Sequence, residues 1–352
     1  MASKEKHLEK VQELLKRIET GSKEVFTSEN YQNFLRTMSK FHRYSVRNCI
    51  LISMQKPDAT HVAGFHAWQK NFHRHVKKGE KGIQILGYMP HKFKERVPKT
   101  DQHGKPIYDA SGKPITEEIE HIIPYYRPVY VYDVSQTDGE PLPKLATELS
   151  GSVRQYTQLL TALRTVSPYP ILFDDLSGYS ANCHGYCSFS EQQIVIRENM
   201  PQEQTIKTII HEMAHAVVHA PQLNLPPEQK LDRQSCEVQA ESIAFIVCNF
   251  LNIDSSDYTF PYIASWSSGY ELKELQNSLQ TIQTAANDLI EQISSEIDHL
   301  QVQQKEPERI KPLSLNERIA AAKDTAKKYN AEHSIAPEKE NCNELECTAS
   351  NI

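Results

Sequence analysis

No stretch of the 352-residue chain approaches the roughly 18 consecutive apolar residues of a membrane-spanning helix. The opening MASKEKHLEKVQELL alternates charges with single apolar residues and lacks the apolar centre of a secretory signal. CxxC pairs are missing too, and the seven cysteines are odd in number, which argues against a disulfide framework. These absences lead to the expectation of a cytoplasmic protein with reduced thiols and no membrane partner. Dense negative charge is also lacking. The formal net charge is −6, and outside one basic block it is −17 spread over 277 residues, too sparse for a protein that imitates a polyanion.

What is present is segregated. From Tyr31 to Lys105 there are 15 Lys and Arg against 4 Asp and Glu, a local net of +11, with seven of the 15 histidines. Charge gathered this way points to a polyanionic partner for one part of the chain. A hydrophobic content of 39% suffices for at least one sizeable core, and the length allows two ordinary domains and a tail.

Periodicity sets the organisation. Leu8, Val11, Leu14, Leu15 and Ile18 predict a first helix, Tyr31 to Met54 one or two more, and VAGFHAWQKNF a short one. In HVKKGEKGIQIL the turn GEKG separates Val76 from the apolar run Ile83 to Leu86 and predicts a hairpin. Val97 to Ile123 reads as successive turns, DQHGKP and DASGKP, followed by the strand-like YYRPVYVYDV, and TDGEPLPK reads as a linker. Helical pattern resumes at Leu145 to Thr165. SGYSANCHGYCSFSEQQIVIRE predicts turns and strands, one helix should run from Pro201 to before Pro221, and another from Arg233 to Leu251. From Leu272 to Leu300 apolar residues step by three and four, the pattern of a long amphipathic helix that docks on the chain or forms a coiled-coil dimer. SLNE, 314–317, is a capping box for a last short helix in a polar tail.

The residues TIIHEMAHAVVH carry the clearest chemical signal. His211 and His215, four apart in a helix, lie about 40° apart in azimuth and one turn apart in height, so both imidazoles can reach one ion. Ile206, Ile210, Met213, Ala214 and Val217 form the opposite, core-facing stripe. Glu212 stands where a carboxylate can hold a water. HExxH alone arises by chance in roughly one such chain in twenty, so a third ligand is needed. The following helix, RQSCEVQAESIAFIVCNFL, offers Glu237 and Glu241 one turn apart in otherwise apolar surroundings, where unpaired carboxylates are costly. Ala240 and Ala244 would allow the two helices to approach closely.

HEMAH followed by ExxxE looks like the zincin peptidases whose third ligand is a glutamate, and Glu237, Ala240 and Ala244 resemble the ImmA/IrrE branch. The wider series, YSVRNCILISMQKPDATHVAGFHAWQKNFHRHVKKGEKGIQIL, VYDVSQTDGEPLP, IIHEMAHAVVH, EVQAESIAFIVC and YIASW, is similar in order to ArdC-type antirestriction proteins. This resemblance implies an α+β chain: a small N-terminal α+β domain binding single-stranded DNA over 1–143, a mostly helical zincin-like metallopeptidase domain over 144–302, and a polar tail over 303–352. It implies Zn²⁺ held by His211, His215 and Glu237, with Glu212 as general base and Glu241 behind the ligands, accepting a hydrogen bond from a ligand imidazole. A one-turn shift that exchanges Glu237 and Glu241 remains open. His219 reads as a structural or surface residue. QQIVIRE could pair with an extended peptide substrate, Tyr258 or Tyr262 could donate to an oxyanion or simply pack, and Cys183, His184 and Cys187 could hold a second zinc only with a ligand from elsewhere.

In the basic block, cations alternate with aromatics. Arg43, Tyr44, Arg47, Arg74, Lys77, Lys78 and Lys81 are the candidate contacts to single-stranded DNA, with Tyr88 as a further stacking ring. Phe65, Trp68 and Phe72, at steps of three and four, fit the core side of a short helix better. Two functions stand: a metallopeptidase localised to single-stranded DNA and acting on proteins there, or a non-proteolytic protector of DNA with an accessory zinc domain. Either suits antirestriction on a mobile element.

Overall fold

The computed structural model describes residues 2–102, 105–142, 153–255 and 260–305. Contacts divide the chain into two units, Met1–Asp298 and His299–Ile352. The capping box at 314–317, Tyr258, and the part of the predicted fifth helix before 153 lie outside the described residues.

Unit one opens with α1 (Ala2–Glu24), α2 (Ser28–Lys40) and α3 (Val46–Gln55), the last capped by Ser45, whose Oγ accepts from Asn48 N at 3.3 Å. Then come β1 (Val62–Gly64), α4 (Phe65–Phe72), β2 (Arg74–Val76), β3 (Ile83–Tyr88), β4 (His91–Pro98), β5 (Thr116–Ile123), β6 (Tyr126–Asp133) and β7 (Thr137–Gly139). β6 is the centre of an antiparallel sheet ordered β1-β6-β3. Ile83, Ile85 and Val131 face inward and are buried beneath α1 and α3. The free edge of β3 is satisfied by amide side chains of α3: Asn48 bonds N and O of Leu86, and Gln55 does the same for Gln84. This removes the unpaired backbone groups that make exposed edges sticky. Pro128 fits in β6 because β1 pairs only with Val131 to Asp133, leaving no partner for the N–H that proline lacks.

The hairpin predicted across GEKG does not form. β2 pairs with β7 and β3 with β6, so Gly79 (φ +90°) turns the chain between two different sheets. The side chain of Gln136, bonded to Glu80 and to Lys81 O, holds that turn. DASGKP and the described ends of DQHGKP lie at the far end of a two-stranded ribbon, β4 with β5, where the sequence suggested turns alone. Both faces of that ribbon carry charges, so it has no alternating signature.

The chain continues with α5 (Val153–Val166), β8 (Ile171–Asp174), β9 (Gly185–Ser188), β10 (Gln193–Arg197), α6 (Gln202–Ala214), α7 (Arg233–Phe250), α8 (Ile263–Ser267) and α9 (Leu272–Lys305). The sheet order is β8-β10-β9, with β10 parallel to β8 and antiparallel to β9. QQIVIRE is therefore the central strand, paired on both sides and closed to an added peptide. β9 forms the edge next to α6.

Through Asp298, α9 is docked on its own chain. Leu275, Leu279, Ile282, Ala286, Leu289, Ile293 and Ile297 are buried, Gln283 Oε1 accepts from Val46 N at 3.2 Å, and Gln276 bonds Ser22. α2 packs on α7: the Tyr31 hydroxyl lies 2.8 Å from Ser242 Oγ, and its ring meets Phe260 edge-on. Among the described residues no helix is long and apolar enough to cross a membrane.

Candidate metal centre

α6 starts at Pro201, and its buried side (Ile206, Ile209, Ile210, Met213, Ala214) fixes it in the core. Val217, assigned to that side by periodicity, is instead exposed, because the helix widens into a π turn over His215–His219. Such turns concentrate at functional sites. α7 is capped by Asp232, which accepts from Ser235 N at 2.8 Å, and presents buried Ala240 and Ala244. The small side chains let α6 and α7 pack side by side.

Three ligand atoms converge. His211 Nε2 lies 3.1 Å from His215 Nε2, and Glu237 Oε2 lies 3.5 Å from the first and 3.6 Å from the second. Bonds of about 2.0–2.1 Å at tetrahedral angles put ligand atoms about 3.3 Å apart, so the donor set fits one Zn²⁺-sized divalent ion. His211, His215 and Glu237 form the one cluster of this kind among the described residues. Cys183, His184 and Cys187 do not make a second: Cys183 Sγ bonds Gly185 O, and His184 Nδ1 faces Gln204 Nε2.

A cleft of about 1000 Å³ opens over the triad, walled by Tyr179, Tyr186, Cys187, Phe189, Lys207 and Arg233. Glu212 lies in it, buried, its carboxylate accepting the Cys187 N–H of β9 while burial pushes its pKa up. The two imidazoles beside it hold Glu237 well below the usual carboxylate range. Burial opposes charging of His211, but the carboxylates of Glu237, Glu212 and Glu241 outweigh it and raise its pKa. Glu241 lines the cleft, accepts a hydrogen bond from the Tyr262 hydroxyl, and is pushed by burial up to about 6.

His219 is buried rather than superficial, and it belongs to a chain of hydrogen bonds leading away from the triad. His215 Nδ1 lies 2.9 Å from His219 Nδ1, His219 Nε2 lies 3.3 Å from Gln239 Oε1, and Gln239 Nε2 donates to Ser278 Oγ at 3.1 Å. The amide orientation fixes the rest. Gln239 offers oxygen to His219 Nε2, which must carry hydrogen; His219 Nδ1 then accepts from His215 Nδ1–H, leaving His215 Nε2 with a free lone pair toward the triad. Burial keeps His219 neutral, lowering its pKa to about 4. Replacing His219 by Phe should weaken divalent-metal affinity 10- to 100-fold while leaving the fold intact, read by calorimetric titration with Zn²⁺. The sequence carried a faint sign of this, HxxxHxxxH, but nothing of Gln239 or Ser278.

The predicted DNA contacts divide. Arg43 pairs with Glu291 at 2.7 and 3.1 Å, and Lys77 bonds Ser135 O with Asp138 nearby. Arg74 is tied to Thr137, Gly139 and Glu140 and ties β2 to β7. Tyr44 is half-buried and donates to Val62 O. Arg47, Lys78 and Lys81 are exposed. Trp68 is core, its Nε1 donating to Tyr132 O; Phe72 is half-buried, and Phe65 is exposed.

Residues 5–132 match the N-terminal domain of anti-restriction factor ArdC. The matched stretch runs from within α1 into β6 and stops short of the metal triad. Among curated proteins, the chain is 26% identical over 327 residues to an uncharacterized protein of Bacillus anthracis, covering 85% of this chain and 54% of that protein. It is 25% identical over 222 residues to the DNA primase TraC of Escherichia coli, covering 60% of this chain and 14% of the primase. The chain therefore spans about half the length of the first relative and a small part of the second. Two crystal structures of the antirestriction ArdC protein of a plasmid are also similar. The metal-free one gives TM-score 0.43 at 18% identity over 72% of this chain and 85% of that one; the Mn(II)-bound one gives 0.41 at 16% over 72% and 84%.

Proposed function

We propose that the chain is a divalent-metal-dependent peptidase that works at single-stranded DNA, in an antirestriction role on a mobile element and in the cytoplasm. The observation that carries the catalytic half is the placement of Glu212. It is a buried carboxylate beside a three-ligand cluster whose remaining side opens on a cleft, and a purely structural ion would have no use for such a group. His211, His215 and Glu237 would hold the ion, Zn²⁺ by the two-imidazole, one-carboxylate set. When bound, such an ion supplies Lewis acidity, polarising a carbonyl and easing deprotonation of a water. Glu212 takes that proton and delivers it to the departing nitrogen, the Cys187 N–H keeping its carboxylate aimed into the cleft. The β9 edge, Gly185–Ser188, is the place for an extended peptide to add as a strand.

The ArdC-type N-terminal region, with its excess of 11 positive charges over 31–105, supports the DNA half. Residues 1–143 then serve DNA, 144–302 the peptide, and 303–352 form a tail. A non-proteolytic protector of DNA is the second reading, favoured by one observation: the exposed cations Arg47, Lys78 and Lys81 owe nothing to Glu212.

The test uses the full chain, Zn²⁺ or Mn²⁺, and an unfolded protein substrate, with and without single-stranded DNA. Expected is cleavage that chelator abolishes and metal restores, faster with DNA. No cleavage in any combination overturns the peptidase half.

A further inference from the structure

We propose that the outer face of the β1-β6-β3 sheet is an aromatic platform on which unpaired bases of single-stranded DNA stack, with Tyr126 and Tyr130 as its principal rings. This rests on the DNA half of the reading above and names the surface that would perform it.

Strand alternation assigns the face. With Ile83, Ile85 and Val131 turned inward, the opposite side carries Gln84, Leu86 and Tyr88 from β3, Tyr126, Pro128, Tyr130 and Tyr132 from β6, and Ala63 from β1, with Leu86 buried and Pro128 half-buried among them. Rings of this size are normally buried. Here Tyr88, Tyr126 and Tyr130 remain 55%, 44% and 53% exposed, and Phe65, edge-on to Tyr132, is 51% exposed. The rings run from the Tyr88–Tyr126 cross-strand pair, centroids 5.3 Å apart, to Phe65, which follows Gly64 of β1 opposite Val131 and meets Tyr132. Tyr126 to Tyr132 alone is about 20 Å of extended strand, room for a few nucleotides.

The platform is held in place. A Cβ at Gly82 would come within 3.1 Å of Tyr130 Cβ and of Tyr132 Cζ, so glycine is what lets these rings lie against the strand. Gln84 Nε2 donates to the Tyr130 hydroxyl at 3.4 Å. Fixed rings lose little entropy on stacking a base, and every base has a face to stack.

Charge selects the occupant. No carboxylate projects from these face positions, and exposed Lys78 and Lys81 precede β3 at one end; at the other, Lys92 stands near Tyr88 but is paired with Glu120 at 2.8 Å. Aromatic faces between cations suit a chain of phosphates carrying flat bases. A duplex offers no free base face, so the platform discriminates for single strands.

The test is fluorescence anisotropy on the full chain with a labelled 20-nucleotide oligothymidylate and an abasic strand of equal length and charge. Wild type should bind the thymidylate at least tenfold more tightly than the abasic strand. Tyr130→Ala and Tyr126→Ala should each weaken thymidylate binding about 5- to 100-fold, while Tyr130→Phe stays within about twofold. The salt slope should be unchanged in these variants, and smaller by about 1.4 in Lys78→Gln/Lys81→Gln, at roughly 0.7 per cation on single strands. Equal binding of abasic and thymidylate strands by wild type, which needs no variant to fold, overturns the platform and leaves the DNA reading standing. Failure of wild type to bind either strand overturns the DNA reading itself.

Discussion

Glu237→Ala loses stoichiometric divalent-metal binding at pH 7, with affinity for Zn²⁺ falling more than about 100-fold, whereas Glu241→Ala keeps the ion. The asymmetry follows from geometry. Glu237 Oε2 reaches both imidazoles at 3.5 and 3.6 Å, while the Glu241 carboxylate is engaged by Tyr262. Removing a ligand should exceed the 10- to 100-fold cost of removing a partner outside the coordination sphere. His211→Ala and His215→Ala should behave like Glu237→Ala. Elemental analysis after dialysis, with calorimetry on the metal-free chain, reads the result; full occupancy in Glu237→Ala with loss in Glu241→Ala would reverse the assignment.

The same geometry gives a pH dependence of definite sign. In the metal-free chain the pKa of His211 lies above its ordinary 6.5, held up by three carboxylates against the opposing effect of burial. A raised imidazole pKa means the proton stays on to higher pH, so an ion must displace it where free imidazole would already be neutral. Affinity therefore rises with pH, and its loss on acidification begins above 6.5 rather than below it.

Much of this centre was legible in the sequence because it is local. His211, Glu212 and His215 share one turn of helix, Glu237 lies on the next helix, and both helices announce themselves by apolar spacing, the first also by Pro201. The three-four stepping that predicted α9 likewise reports a continuous buried stripe. What was illegible depends on partners distant in sequence. β2 and β7 are three residues each and pair across some sixty residues, so GEKG looked like a hairpin when judged by its neighbours alone. The β4–β5 ribbon buries neither face and so has no alternation to read. The support of His215 draws Gln239 from α7 and Ser278 from α9, and the contact of Tyr31 with Ser242 joins helices over 200 residues apart. Tyr126 and Tyr130 were visible as a strand, but only the register of β6 against β3 puts them on the open face.

Glu212→Gln should separate the two functions that fit this chain. The amide matches the carboxylate in size, can still accept the Cys187 N–H through its oxygen, and leaves His211, His215 and Glu237 untouched, so metal content should equal that of wild type. It cannot take up a proton. Loss of a positioned general base typically costs 10²- to 10⁴-fold in rate, so cleavage of an unfolded substrate should fall by at least 100-fold. The sheet face and the exposed cations do not involve Glu212, so the affinity and salt slope for single-stranded DNA should be unchanged. A peptidase predicts that any protection of incoming DNA in a transfer assay disappears with cleavage. A protector predicts that Glu212→Gln shields DNA from restriction as well as wild type does. Full protection by the variant, with intact metal and no cleavage by wild type under any metal or DNA condition, would leave Glu212 without a chemical task and assign the function to the DNA-binding face alone.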